Sequence, residues 1–278
     1  MINFVILAMV FIWGLAIGSF INVLIYRLPL EEDIVIKPSH CMKCGQRIKP
    51  YDLIPLFSYI FLRGKCRNCG EKISIQYPLI EFFTALIITG TYYKFGWLFP
   101  WSIYQGYTES NLILLASMIV LAGMFITTFM IDLKHYIIPN EIIIFGIAAG
   151  AVFTGFLSYF KGDWYVLINA GIGFLAGGLT FFLIVILGEW FMKQEAMGMG
   201  DVKLMAVVGL FIGWKLTIIA MLMSFMIGSV VSIFLLATKI KGRKDMIPFG
   251  PFIILGSVVA IIWGNQIINW YLSVGKFQ

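Results

Sequence analysis

The sequence has little charge. Only 12% of its 278 residues are Asp, Glu, Lys or Arg, whereas 60% are apolar and the mean hydropathy is +0.94. A soluble domain carries roughly 25% charged residues, so this chain cannot cover a water-exposed surface. Disorder is excluded as well, because it needs low hydrophobicity and high charge. The four cysteines are too few for a disulfide-stapled scaffold. We therefore predict an all-α polytopic membrane protein embedded in a lipid bilayer.

Long apolar runs predict about eight transmembrane helices, since a bilayer crossing takes about 20 predominantly apolar residues. The sixth run is short and abuts the seventh at 213–215, so these two are predicted to form a hairpin. No basic residue precedes Arg27, so the first run does not resemble a cleaved signal peptide. The eight runs cover 3–25, 79–96, 112–131, 141–159, 166–188, 202–213, 216–238 and 249–271.

The distribution of Lys and Arg predicts the orientation. Sixteen of the 20 fall on one side of the predicted spans, nine of them in the loop 27–77. Because cytoplasmic loops retain positive charge, we expect this loop in the cytoplasm and both termini outside the cell membrane. The net charge of +6 is explained in this way, and no nucleic-acid partner is expected. The other side has Lys94, Lys161, Lys215 and Lys276.

The chain is predicted to have two parts. Residues 1–100 contain two spans and the one loop long enough to fold, and residues 101–278 contain six spans joined by short loops.

Two Cys-x-x-Cys-Gly knuckles lie in the long loop and predict a metal site. The ligands would be Cys41, Cys44, Cys66 and Cys69. This spacing is typical of a structural tetrathiolate zinc site, which has no open coordination position. In the reducing cytoplasm disulfides are rare. The alternative is that the cysteines form two disulfides or remain four unrelated thiols. His40 is predicted to be a surface residue, because four thiolates already complete a tetrahedron.

Two acids are singled out because both are predicted at the cytoplasmic end of a span and at about the same depth, whereas Glu141 and Glu189, which also flank spans, are predicted to be interfacial. Asp132 follows the third span and Asp201 opens the sixth, preceded by Gly198 and Gly200. Two nearby carboxylates can share a proton and act as general base and general acid. The glycines would permit unusual backbone angles and the close approach of an extended substrate.

Two other interpretations of these acids stay open at this point. Both can be ordinary helix-end residues, with Asp201 as an N-cap. Alternatively they can belong to the ion or proton pathway of a membrane transporter, although such acids are usually found mid-span.

Several motifs together resemble the bifunctional type IV prepilin peptidases, a family of GxGD-type aspartic membrane proteases. They are GSFINVLIYRLP at 18–29, the paired knuckles, QYPLIE at 76–81, DLKHYIIPN at 132–140, GMGD at 198–201 and IPFGP at 247–251. The resemblance covers nearly the whole chain. The chain departs from the family pattern at Met42, where the family usually has proline. Presenilin-like relatives have tyrosine where this chain has Ile131.

The resemblance implies a leader peptidase and N-methyltransferase. Its substrates would be prepilins or pseudopilins, cut on the cytoplasmic side after a glycine, and the new amine would be methylated by S-adenosylmethionine. Asp132 and Asp201 would be the catalytic pair, and residues 1–100 would hold the methyltransferase part. No glycine-rich dinucleotide fingerprint appears, so a cofactor site would use polar groups such as Asn22, Arg27 and Glu81. These three can equally anchor the interface or bond between helices.

Overall fold

The computed structural model describes residues 2–96, 109–192, 197–242 and 245–274. Within these ranges the chain is helical, without a strand beyond two isolated bridges in the long loop. The boundary predicted at 100/101 lies outside the described residues. So do four of the counted cations, Lys193, Arg243, Lys244 and Lys276.

Eight α-helices are described, and they follow the predicted apolar runs closely. An extra short helix, α2, lies in the long loop, together with 3-10 turns at Leu28–Leu30 and Pro50–Leu53. The helices are α1 Ile2–Arg27, α2 Phe57–Phe61, α3 Gln76–Gly96, α4 Glu109–His135, α5 Asn140–Lys161, α6 Tyr165–Met192, α7 Met199–Ala237 and α8 Gly250–Val274.

Among the described residues, six helices are long and apolar enough to cross a membrane: α1, α4, α5, α6, α7 and α8. This confirms a multi-pass, all-helical membrane protein. Helix α3 is not among the six. The number of eight crossings therefore stays a prediction.

The chain divides into two compact units, Met1–Met130 and Ile131–Gln278. In the first unit α1 and α3 pack antiparallel with their backbones in contact. A Cβ added at Gly18 would lie 2.6 Å from the Glu81 Cα, and one at Gly14 would lie 2.6 Å from the Ala85 Cα. Small residues thus allow close helix packing, which is the usual solution where lipid offers no hydrophobic driving force.

In the second unit α6 packs against the beginning of α7. Gly177 lies against the Met205 backbone, and Gly173 lies against the Gly209 backbone, with no room for a side chain at either glycine. From the first contact to the second, the position moves four residues back along α6 and four residues forward along α7. The first part of α7 therefore runs antiparallel to α6.

Helix α7 reverses direction at Gly213. This residue has φ 74° and ψ 166°, and a Cβ there would collide with the Asn169 side chain, so only glycine fits. The Trp214 N–H donates to Asn169 Oδ1 at 3.3 Å. Phe225 is twelve residues after Gly213, and its ring centroid is 5.5 Å from that of Phe181. Phe181 lies about 18 Å along α6 from Asn169. The chain has turned back, and the predicted hairpin is confirmed.

The two arms of α7 are residues 199–212 and 214–237. The first arm is about 21 Å long, short of the roughly 30 Å of a bilayer core. The second arm packs antiparallel to α8, where Gly256 lies against Ser224 and Gly228 lies against Phe252. Three helix ends, those of α4, α7 and α8, supply the residues of the candidate site.

Candidate functional site

Asp132 lies in the last turn of α4 and is buried, with 5% of its surface exposed. Its Oδ2 accepts a hydrogen bond of 3.0 Å from the backbone N–H of Gly250, the first residue of α8. A Cβ at Gly250 would lie 2.5 Å from the same oxygen. The carboxylate can therefore reach this N–H only because residue 250 has no side chain.

An aromatic cluster fixes the position of Gly250. The preceding Phe249 packs against Phe181 of α6 and Phe225 of α7, with ring centroids 6.1 and 5.6 Å away. Phe181 and Phe225 also contact each other. Because interiors packed in this way resist deformation, the start of α8 is held against Asp132.

Asp201 lies in the first turn of α7 and is 8% exposed. Its backbone N–H donates to the Gly198 carbonyl at 3.1 Å. The N-cap of α7 is Gly198, which makes no side-chain cap, so Asp201 is not the N-cap residue. A buried acid that does not cap its helix needs another reason for its position.

The two aspartates belong to one cluster of helix ends. A Cβ at Gly200 would lie 3.1 Å from the Ile138 Cβ, and one at Gly250 would lie 3.5 Å from the Ile138 Cδ1. Ile138 thus lies against the starts of α7 and α8, which places Asp201, in the first turn of α7, in the same cluster as Asp132, which bonds to the first residue of α8. Two carboxylates in such a relation can hold one proton between them.

The unusual backbone angles expected at the two flanking glycines are not observed. Neither Gly198 nor Gly200 has a positive φ, and Gly198 is extended at φ −70° and ψ 144°. At Gly200 Ile138 fills the space that a side chain would take, and the close approach of a substrate stays a prediction. At Gly198 an added Cβ would make only an ordinary contact, 3.6 Å from Asp201 Oδ2. The glycine at 200 thus serves packing, and the one at 198 leaves space beside the carboxylate.

The four cysteines come together in the first unit. Their sulfur atoms all lie within 4.8 Å of one another, and the thiols are free, so neither disulfide is formed. The Sγ atoms of Cys41 and Cys69 are 3.8 Å apart. This donor set fits a tetrahedral zinc ion. His40 lies next to the cluster but outside it, with its Nδ1 3.3 Å from the Pro38 carbonyl oxygen.

The two knuckles have the same backbone geometry. The Cys41 N–H donates to Gln46 O at 2.9 Å, and the Gly45 N–H donates to Cys41 O at 2.8 Å. The second knuckle repeats both bonds 25 residues later, and Gly45 and Gly70 have φ values of 69° and 71°. Backbone N–H groups of Cys44 and Lys43 lower the pKa of the Cys41 thiol to about 6. Its thiolate, the form that binds metal, is therefore favoured at neutral pH.

Ion pairs join the knuckles to each other and to the rest of the loop. Lys43 of the first knuckle pairs with Glu71 of the second. Arg67 forms a bidentate pair with Asp52, with N–O distances of 2.6 and 2.9 Å. The guanidinium lowers the pKa of Asp52. The first pair links the two halves of the cysteine cluster, and the second links the cluster to the turn at Pro50–Leu53.

Asn22, Arg27 and Glu81 are all buried in the first unit, but the structure gives them separate contacts. Asn22 Nδ2 donates to the Tyr77 carbonyl at 3.0 Å. Arg27 donates to three loop carbonyls within residues 33–38. Glu81 interacts with Ser19, and its Oε2 accepts the Leu56 N–H at 2.8 Å. Anchoring and interhelix bonding, the alternative stated for these residues, describe these contacts.

Sequence reasoning missed the role of Gly250. The IPFGP run at 247–251 stands out as a motif, but the sequence alone assigns no function to its glycine. A glycine directly after an apolar residue and before Pro251 at a helix start was the available signal.

Comparison with known proteins gives concordant matches. Residues 12–95 match the family described as "Bacterial Peptidase A24 N-terminal domain", and residues 119–233 match the "Type IV leader peptidase family". The "Prepilin leader peptidase/N-methyltransferase" of Bacillus subtilis is 31% identical over 96% of this chain and 98% of its own length. Proteins of the same name from Xanthomonas campestris and Pseudomonas aeruginosa are 32% and 29% identical, over 93% and 95% of this chain and 92% and 93% of their own lengths. No solved structure matches.

Proposed function

Because this chain belongs to the type IV leader peptidase family, we propose that it removes the basic leaders of prepilins or pseudopilins and methylates the new N-terminus. Cleavage would follow a glycine at the cytoplasmic face. The observation that carries the peptidase half is the meeting of Asp132, Asp201 and Gly250 at three helix ends. The lopsided distribution of Lys and Arg supports the proposed orientation, with both termini outside.

In the proposed cleavage, one aspartate takes a proton from water as the water oxygen attacks the scissile carbonyl carbon. The other aspartate, protonated, donates a hydrogen bond to the carbonyl oxygen, where negative charge develops. When the C–N bond breaks, the aspartate that took the proton from water passes it to the departing amine. The Gly250 N–H holds the Asp132 carboxylate in place during this exchange.

We assign cleavage to residues 101–278 and methylation to residues 1–100. The cysteine cluster would hold one structural zinc ion through Cys41, Cys44, Cys66 and Cys69, and would supply folding energy to a loop with little apolar core. S-adenosylmethionine would supply an electrophilic methyl group. Asn22 and Arg27 would shape this region through their backbone contacts, and Glu81 would accept the proton that the amine must lose.

The proposal is tested by mass. The purified protein is incubated with a model prepilin, and the products are weighed with and without S-adenosylmethionine. We expect leader removal in both reactions and a gain of about 14 Da, one methyl group by atomic masses, only with the cofactor. A transporter, the rival class, would instead give pH-dependent ion flux in liposomes and leave the leader attached.

A further inference from the structure

The long loop, predicted to be cytoplasmic throughout, contains an apolar segment of its own. Residues 53–62 carry no charge, and five large side chains among them are exposed to a degree that a water-soluble loop avoids. Their exposed fractions increase along the segment and reach 81% at the last of them. They are Leu53, Ile54, Phe57, Ile60 and Phe61.

The depth of this segment follows from its bond to α3. The Leu56 N–H donates to Glu81, and Glu81 lies opposite Gly18 in the α1–α3 pair. Gly18 is nine residues before the end of α1 at Arg27, which is about 14 Å along the helix axis. Measured along α1, the bond that holds the segment therefore lies about 14 Å from the Arg27 end of the helix, on the side of the membrane interior.

That depth is within the bilayer. A crossing that begins at Phe4, where the apolar stretch of α1 begins, needs about 20 residues and extends to about Val23. Gly18 is five residues short of this, so its level is about 8 Å inside the hydrocarbon core. The start of the loop differs, because Arg27 binds residues 33–38 at the helix end itself.

Several backbone groups of the segment are bonded within the protein, which favours its placement in lipid. Glu81 accepts the N–H of Leu56, a residue with φ 61° at the turn into α2. The Ser58 hydroxyl donates to the Tyr51 carbonyl at 3.0 Å, and Ser58 is itself buried. Two exposed cations, Arg63 and Lys65, follow the apolar run directly, where they would meet lipid phosphates.

We propose that residues 53–62 form a re-entrant segment whose exposed apolar side chains insert into the lipid of the leaflet that borders the loop. Arg63 and Lys65 bind its anionic headgroups. The long loop would then be attached to the membrane by residues 53–62 in its middle as well as by α1 and α3 at its two ends. The inference depends on α1 crossing the membrane and not on the proposed reaction.

The test places a photoreactive benzophenone amino acid at Phe57 or Phe61 of the full chain, reconstituted in nanodiscs of phosphatidylethanolamine and phosphatidylglycerol. The control position is Met42, which is exposed but belongs to the first knuckle. After illumination, mass spectrometry should find phospholipid adducts at 57 and 61 several-fold above the yield at 42. Adducts to other parts of the protein, to a second copy, or equal lipid yields at all three positions would overturn the proposal.

Hydroxyl-radical footprinting of the unmodified protein gives a check that needs no variant. In the same nanodiscs, radicals generated in water should oxidise Met42 and spare Phe57 and Phe61, after correction for the intrinsic reactivity of each side chain. Oxidation of both phenylalanines at rates typical of water-exposed rings would contradict the insertion.

Discussion

The two units bury carboxylates in different ways. In the first unit Glu81 lies in the second turn of α3 against the α1 backbone, and one of its oxygens accepts a loop N–H from 25 residues earlier. In the second unit Asp132 and Asp201 lie at helix ends, and their neighbours are glycines. A carboxylate enclosed between two helices is suited to holding a chain segment. Carboxylates at converging helix ends, next to a glycine with open space, can admit an extended peptide.

The units also differ in what replaces a conventional core. The loop of the first unit has ion pairs and a four-cysteine cluster that could bind a metal, so we expect its order to depend on charge and on the proposed metal. The second unit is held by close helix contacts at small residues and by aromatic rings. We therefore expect the two activities to respond differently to mutation, metal removal and pH.

The largest effect is expected at the aspartates. Asp132→Asn or Asp201→Asn should lower cleavage by a factor on the order of 10²–10⁴, because an amide cannot exchange the shared proton. Each variant should still insert in the membrane. Leader removal is measured by mass after incubation with a model prepilin.

The matched control for the aspartates is Asp163→Asn, since Asp163 lies between α5 and α6 and accepts only local bonds such as the Tyr165 N–H. It should cleave normally. Cleavage near the wild-type rate by either Asp132→Asn or Asp201→Asn would refute the pair.

Metal removal should affect the activities assigned to the two units to different extents. Elemental analysis should find about one zinc per chain, lost when Cys41 and Cys44 are both replaced by serine. Because structural zinc contributes about 10–16 kcal/mol of apparent binding free energy, the loop should lose its order. Methylation should fall at least as far as cleavage, since the ligands belong to the first unit.

Met42→Ser, in the same knuckle but not a ligand, should keep the metal and both activities. A metal-free protein that methylates at the normal rate would show that the cluster is not a structural zinc site.

A smaller effect is expected at Gly250. In Gly250→Ala the new methyl group would lie 2.5 Å from Asp132 Oδ2 and would displace the carboxylate from its N–H donor. Overpacking of this kind costs about 1–3 kcal/mol. Cleavage should therefore fall roughly fivefold to 150-fold, with methylation of an already processed pilin unchanged.

Gly155→Ala is the control for this change, because nothing lies within 4 Å of its Cβ position in α5. Its cleavage rate should equal that of the unchanged protein. Equal rates in Gly250→Ala would mean that the contact with Asp132 has no role in the reaction.

The sequence predicts well those features that depend on local composition. The apolar runs predict the positions of the long helices. The Cys-x-x-Cys spacing predicts the four-cysteine cluster, because each short turn places two sulfur atoms side by side. The sequence does not predict contacts between distant helix ends. The bond from Gly250 to Asp132 joins residues 118 apart, and no periodicity or charge count encodes it.

The apolar segment of the long loop shows a second limit. Lys and Arg counts treat residues 27–77 as one cytoplasmic stretch, although ten uncharged residues lie within it. Ten residues are too few to register as a crossing, so hydropathy alone leaves them in the loop. Only the bond between Leu56 and Glu81 gives their depth.

The smallest expected effect belongs to Glu81, where the two roles of a buried carboxylate can be separated. Glu81→Gln keeps an oxygen that can accept the Leu56 N–H but loses the base. A free α-amine has a pKa near 8, so about a tenth of it is neutral at pH 7. We expect methylation in this variant to be about tenfold lower at pH 7 and to recover by pH 9, while leader removal is unchanged.

Glu81→Leu removes the acceptor as well as the base, so its methylation should not recover at high pH. The mass assay measures both activities across this pH range. If Glu81→Gln lost methylation equally at pH 7 and pH 9, the carboxylate would act through the fold, by holding the loop. If it methylated normally at pH 7, the amine would lose its proton to another group or to water. If methylation recovers between pH 7 and pH 9 in Glu81→Gln but not in Glu81→Leu, Glu81 acts as a proton acceptor and not only as an anchor for the loop.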